Sequence, residues 1–173
     1  RHALGATRPK ADGLPSAQVV NLDIRRKIAD LPLAGMPHLG SGITFAWNGG
    51  TVLASPNLKD GLVSVIDMKS WKPVKNIATP GPGFFMRSHE NTRYAWVDSM
   101  MSPNAKDTLT VIDKRTLEPV AKVRAPGKTL AHVEFTKDGR LVDPNWGVMP
   151  DKVIDLLENK PEDAWKNAAV FAL

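Results

Sequence analysis

Two stretches decide the fold: Val63-Ser-Val-Ile-Asp67-Met-Lys-Ser-Trp-Lys-Pro73-Val-Lys-Asn-Ile77 and Leu109-Thr-Val-Ile-Asp113-Lys-Arg-Thr-Leu-Glu-Pro119-Val-Ala-Lys-Val123. They align without a gap at an offset of 46 residues. In each, apolar residues run up to an aspartate, a polar turn follows, and a second β-rich run closes the unit, the pattern of strand, turn, strand. A looser copy lies upstream, from Val19-Val-Asn-Leu-Asp23 through Ile28-Ala-Asp-Leu-Pro-Leu33. Because Asp67 and Asp113 occupy equivalent positions in the repeat, they read as turn-forming residues that hydrogen-bond the backbone just ahead of them.

Between the copies sit further strand candidates at 43–47, 51–54, 94–98 and 132–135. Asn48-Gly49-Gly50 and Lys137-Asp138-Gly139 are hairpin turn signals. Four short strands in each period of this length are the signature of a β-propeller blade. A β-sandwich would leave the self-similarity unexplained. The expectation is an all-β chain whose residues 1–142 form a partial β-propeller of about three blades. After Leu141-Val142 the pattern stops. Residues 143–150 read as loop, and two helical patterns follow, at 151–159 with Val153, Ile154 and Leu157 on one face, and at 161–173 with Trp165, Ala168, Ala169 and Ala172 at helical spacing. Residues 143–173 are therefore expected to form a loop and a short helical C-terminal tail. An incomplete ring leaves open blade edges, so the expectation is that either the helical tail covers one of them, with Val153, Ile154, Leu157 and Trp165, or the chain self-associates through them.

Composition narrows the function classes. At 173 residues, with 42% hydrophobic and 24% charged residues, the chain is an ordinary globular one. Its net charge of +5 is spread out, with no basic run beyond Arg25-Arg26-Lys27, so a nucleic-acid partner is not expected. No apolar run has the length of a membrane span. The absence of cysteine excludes disulfides, thiolate metal sites and covalent c-type haem attachment within this chain. There is no leading methionine and no signal-like segment, which suits a processed form or a fragment.

Three glycine-controlled stretches each end near a histidine: Gly35-Met-Pro-His38-Leu-Gly40-Ser-Gly42, Gly81-Pro-Gly-Phe-Phe-Met-Arg87-Ser-His89 and Gly127-Lys-Thr-Leu-Ala-His132. Pro37 restricts its own φ and pushes Met36 toward an extended conformation. Gly40 and Gly42 are expected either to adopt backbone conformations closed to other residues or to admit a flat ligand closely. Each histidine falls where the next blade's innermost strand would begin, so the three are expected to converge on the propeller axis.

Five motifs carry a family resemblance: Met36-Pro-His-Leu-Gly-Ser-Gly-Ile43, Gly81-Pro-Gly-Phe-Phe-Met-Arg-Ser-His-Glu90, Tyr94-Ala-Trp-Val-Asp-Ser-Met-Met-Ser102, Lys106-Asp-Thr-Leu-Thr-Val-Ile-Asp-Lys114 and Leu130-Ala-His-Val-Glu-Phe135. In this order they resemble the haem d1 domain family, which includes cytochrome cd1 nitrite reductase and its biosynthetic relatives. The resemblance spans roughly residues 17–142 and points to the dihydro-haem d1 dehydrogenase branch. It implies an eight-bladed propeller, of which this chain supplies about three blades, with haem d1, an iron tetrapyrrole, across the central channel. By that resemblance His38 is the iron ligand, and Gly40, Gly42, Arg87 and His89 contribute to the cofactor site. His132 is the base that removes a proton as a propionate side chain is oxidised to an acrylate. The resemblance also implies a periplasmic location, and a c-type cytochrome or a nitrite reductase as electron or haem acceptor. The tail departs from the family, which continues into a further blade there.

Blander readings stand beside these. Arg87 reads equally as a surface cation on a blade edge. His2 has no motif around it and reads as structural. Trp47, Trp71 and Trp96 read as packing between blades, and Met100-Met101 as core filler. Two other functions fit the residues: a nitrite reductase, in which His38 and His89 would donate hydrogen bonds to iron-bound nitrite, and a non-catalytic propeller scaffold that binds a protein.

Overall fold

The structure is a computed structural model that describes residues 1–6, 17–131, 133–135, 141–143 and 147–148. The helical tail expected at 151–173, the Lys137-Asp138-Gly139 turn and His132 lie outside these residues.

Among the described residues four antiparallel sheets follow one another along the chain. The first holds β1 (His2–Ala6), β2 (Ala17–Asn21) and β3 (Arg26–Leu31). The second holds β4 (Ile43–Trp47), β5 (Gly50–Pro56), β6 (Leu62–Asp67) and β7 (Lys72–Ala78). The third holds β8 (Met86–Ser88), β9 (Tyr94–Asp98), β10 (Thr108–Asp113) and β11 (Glu118–Arg124). The fourth holds β12 (Glu134–Phe135), β13 (Leu141–Asp143) and β14 (Gly147–Val148). In every sheet the strands pair in sequence order, the up-and-down meander of a propeller blade.

The repeat is a repeat of backbone geometry. Side-chain oxygens of Asn21, Asp67 and Asp113, each 46 residues from the next, accept backbone N–H bonds two residues ahead, from Asp23 at 2.9 Å, Lys69 at 3.2 Å and Arg115 at 2.8 Å. Four residues past each of them the chain enters the left-handed region, with φ of 54° at Arg25, 55° at Trp71 and 58° at Leu117. A bulge interrupts pairing between Val19 and Val20, Val65 and Ile66, and Val111 and Ile112. Such bulges add local twist. Asn48 and Gly49, with φ of 46° and 76°, make the two-residue β4–β5 hairpin that their sequence predicts.

The core lies between sheets. Val19, Leu31, Leu53, Ile66 and Trp71 join the first two, with His2 edge-on to Trp71 at 5.1 Å, so His2 is structural. Val52, Val65, Ile77, Val97, Ile112 and Leu117 join the second and third. Trp96, Leu109, Val111 and Val123 meet Leu130, Val133 and Phe135 between the third and fourth. Trp71 and Leu117 hold equivalent places in the repeat, and each packs at the joint with the preceding sheet.

Among the described residues the chain forms two complete four-stranded blades flanked by two three-stranded sheets, in keeping with a partial propeller of about three blades. Two expectations need correction. The sheet pattern does not stop at Val142, because β14 pairs with β13 through Val142↔Val148 and Asp143↔Gly147. Short strands without alternation carry little periodic signal, which is why β14 read as loop. Met101 is 48% exposed and is not core filler.

Candidate functional site

Buried Asn57, in the β5–β6 connection, organises the loop that carries His38. Its side-chain oxygen accepts the N–H groups of Met36 at 3.1 Å, Lys59 at 2.9 Å and Asp60 at 2.9 Å, and its amide donates to the carbonyl of Ala34. Pro37 bridges to Asn57, and His38 N–H donates to the carbonyl of Pro56 at 2.8 Å. The residue here that needs a left-handed backbone is Gly35, at φ 55°, where a Cβ would stand 2.7 Å from Asn57 Oδ1. Of the two alternatives expected for Gly40 and Gly42, a backbone conformation closed to other residues is not the one adopted. Neither takes positive φ: Gly42 is extended at φ −66°, and a Cβ there would lie 3.0 Å from the carbonyl of Ala54, so its close neighbour is strand β5. Gly40 is exposed, with open space where a Cβ would project.

The half-buried ring of His38 precedes a single 3₁₀ turn, Leu39–Ser41. Its Nδ1 lies 2.6 Å from the carbonyl oxygen of Phe84, in the approach to β8. A carbonyl only accepts, so Nδ1 carries the proton and Nε2 keeps its lone pair in the neutral ring. Ser41 Oγ donates to the same carbonyl and stands 2.7 Å from Nδ1. The Phe84 ring lies against the imidazole, centroids 4.1 Å apart. Phe84 is itself held by Asp98 at the end of β9, whose carboxylate accepts the N–H groups of Phe84 at 2.8 Å and Phe85 at 2.9 Å. Sequence reasoning passed over Asn57, Ser41 and Asp98. Ser41 sits one helical turn from His38 and was within reach of inspection; Asp98 is recognisable only once β8 and β9 are paired.

His89 is not equivalent to His38. It directly follows β8, whereas the carbonyl that holds His38 precedes that strand, so the two imidazoles are held at opposite ends of β8. His89 thus follows its blade's innermost strand instead of preceding it as expected, because a histidine's distance from a glycine does not define its place in a blade. His89 Nδ1 accepts the N–H of Asn91 at 3.1 Å, so its neutral ring presents Nε2–H as a donor, the opposite tautomer from His38. His89 lines a cleft of about 570 Å³ floored by Ile43, Phe45 and Ala46 and rimmed by Arg93, Lys114 and Arg115. Lys114 Nζ donates to the carbonyl of His89 at 2.9 Å, and burial pushes its ammonium pKa down. Arg87 is half-buried and donates to the carbonyl of Met86 at 3.1 Å. Trp71 and Trp96 are buried packing residues, while Trp47 donates through its indole N–H to the carbonyl of Arg115 at 3.1 Å. Among the described residues no group of three or more His, Cys, Asp or Glu side chains is placed to hold a metal ion.

The dihydro-heme d1 dehydrogenase of Pseudomonas aeruginosa is 48% identical over 141 residues, covering 81% of this chain and 28% of that protein. Protein NirF of the same organism is 32% identical over 123 residues, covering 67% of this chain and 30% of that protein. The solved structure of dihydro-heme d1 dehydrogenase NirN in complex with DHE superposes with a TM-score of 0.76 at 41% identity, over 87% of this chain and 34% of that one. Kuenenia stuttgartiensis hydrazine synthase matches with a TM-score of 0.59 at 19% identity, over 72% of this chain and 34% of that one, a likeness of fold alone. The chain thus spans about a third or less of the length of each of these proteins. The cytochrome D1 heme domain family matches residues 8–145, most of the chain. The chain belongs to the cytochrome D1 heme domain family.

Proposed function

We propose that this chain is part of a tetrapyrrole-binding propeller that acts as a dihydro-haem d1 dehydrogenase. The observation that carries the reading is His38, with Nδ1–H committed to the Phe84 carbonyl and Nε2 left as a lone-pair donor. One imidazole is too few ligands for a bare metal ion. It would suit iron whose other ligands a tetrapyrrole supplies, since imidazole is a natural protein ligand for such iron. The donor set therefore fits an iron tetrapyrrole. His38 would hold the iron, and the open space at Gly40 would admit a flat ring. His89, a donor through Nε2–H, and Arg87 would pair with carboxylate substituents of the ring. Gly42 would serve indirectly, by letting the His38 loop lie close on β5.

The bound substrate supplies the redox chemistry, since oxidation of a propionate substituent to an acrylate releases two electrons and two protons. His132 would take one proton as general base, and the second would pass to solvent. A c-type cytochrome would receive the electrons, and a nitrite reductase the finished haem d1. We place these events in the periplasm. No helix among the described residues is long and apolar enough to cross a membrane.

The test separates ligand from base. His38→Ala should shift the Soret band of the bound tetrapyrrole and weaken its binding. His132→Ala should leave spectrum and affinity nearly unchanged yet slow side-chain oxidation by roughly 10²–10⁴, because a base acts only in the transition state. Unchanged turnover in His132→Ala would remove the dehydrogenase assignment.

A further inference from the structure

We propose that Ser41 and Asp98 are positioning residues that fix the Phe84 carbonyl and thereby hold His38 in its Nδ1–H tautomer before any ligand arrives. The structural claim stands on hydrogen bonds alone; only its consequence for binding rests on His38 as the iron ligand.

The Phe84 carbonyl receives two donors, Nδ1–H of His38 at 2.6 Å and Oγ–H of Ser41, which uses both lone pairs of the oxygen. Ser41 is 4% exposed, so its hydroxyl has little access to water. From the other side Asp98, 1% exposed, grips the same peptide unit, through Phe85 N–H, and the one before it, through Phe84 N–H. Its Oδ1 takes Phe84 N–H at 2.8 Å and Met100 N–H at 3.2 Å, its Oδ2 takes Phe85 N–H at 2.9 Å, and its own N–H donates to the carbonyl of Phe85 at 3.2 Å. A buried carboxylate is costly unless its oxygens are satisfied, and here backbone donors from two loops satisfy it. Gly83 adds a further restraint, since a Cβ there would stand 2.3 Å from the carbonyl of Asp98. The carbonyl that selects the His38 tautomer is therefore pinned from two neighbouring strand ends. Free imidazole favours the other tautomer, which would put a proton on the ligating nitrogen. Outer partners that set the tautomer of a ligating histidine typically change metal affinity by about 10–100-fold.

The test uses the ¹⁵N-labelled chain without ligand. Long-range ¹H–¹⁵N correlations of the His38 ring identify the protonated nitrogen, and a titration with haemin, read at the Soret band, gives affinity. The parent chain should show Nδ1–H alone. Ser41→Ala and Asp98→Asn should give mixed or Nε2–H tautomers and bind haemin roughly 10–100-fold more weakly, whereas Ser41→Thr, which keeps the hydroxyl, should restore both. If Asp98→Asn does not fold, the Ser41→Ala and Ser41→Thr pair decides alone. Folded variants in which His38 stays wholly Nδ1–H would overturn the inference. A lost tautomer with unchanged haemin affinity would sustain the positioning role and overturn His38 as the iron ligand.

Discussion

Leu117 offers a test of the repeat geometry by stability alone. It is 1% exposed, packs between the second and third sheets, and sits at φ 58°, a region where a Cβ is strained. Leu117→Ala removes a buried side chain and should cost about 2–5 kcal/mol. Going on to glycine removes one more methyl, about 0.8 kcal/mol, and adds backbone freedom to the unfolded chain, about 0.5–1 kcal/mol. It also relieves the left-handed strain, about 1–2 kcal/mol. These terms nearly cancel, so Leu117→Gly and Leu117→Ala should agree within about 0.5 kcal/mol. Leu109, also 1% exposed but in the middle of strand pairing, is the control. There no strain is relieved, and glycine should fall about 1.5 kcal/mol below alanine. Urea unfolding followed by tryptophan fluorescence measures all four variants. At about 2–4 °C per kcal/mol for a domain of this size, thermal melts should rank them alike. A gap of about 1.5 kcal/mol at position 117 as well would refute the claim that Leu117 is held in a strained backbone.

Arg25 occupies the equivalent left-handed position at φ 54°, but exposed, so Arg25→Gly should stabilise the chain by up to about 1 kcal/mol; a loss in the same urea assay would count against the equivalence. At Asp113 burial pushes the carboxyl pKa up, but the Arg93 hydrogen bond and the Arg115 N–H outweigh it and hold it below the ordinary 3.8. A carboxylate depressed in this way contributes stability that is complete above the unfolded value and lost as pH falls through the folded one. Asp113→Asn should therefore lose less stability below pH 3.8 than the parent chain does in an acid titration followed by circular dichroism, and an identical acid profile would be the contrary result. Leu22 and Ile24, 49% and 59% exposed at the β2–β3 turn, should promote self-association, so light scattering should show smaller particles for the Leu22→Lys, Ile24→Lys double variant than for the parent chain.

Much of the fold was legible because its determinants are local. Asn48-Gly49 encodes a tight hairpin, and Asp67 and Asp113 encode their turns, through hydrogen bonds and φ preferences spanning only a few residues. Repetition then multiplied a weak local signal into a blade. The misread parts lack that signal. Strand β14 is two residues long and follows a proline-containing stretch. The position that demands a left-handed backbone is Gly35 rather than Gly40 or Gly42, and a glycine's sequence neighbours do not reveal which atoms its missing Cβ makes room for.

By itself the sequence determined the period, the alternation of strand and turn, and the presence of His38 on a proline-bounded loop. Only the tertiary structure decided which nitrogen of His38 carries the proton, and that His89 stands at the other end of β8 with the opposite tautomer. His38 Nδ1 finds its partner in Phe84, on the neighbouring blade, and Asp98 reaches Phe84 across the β8–β9 hairpin. Such bonds depend on how blades pack and strands register. Residue type constrains packing and register only collectively, whereas a turn or a strand is set by a few adjacent residues.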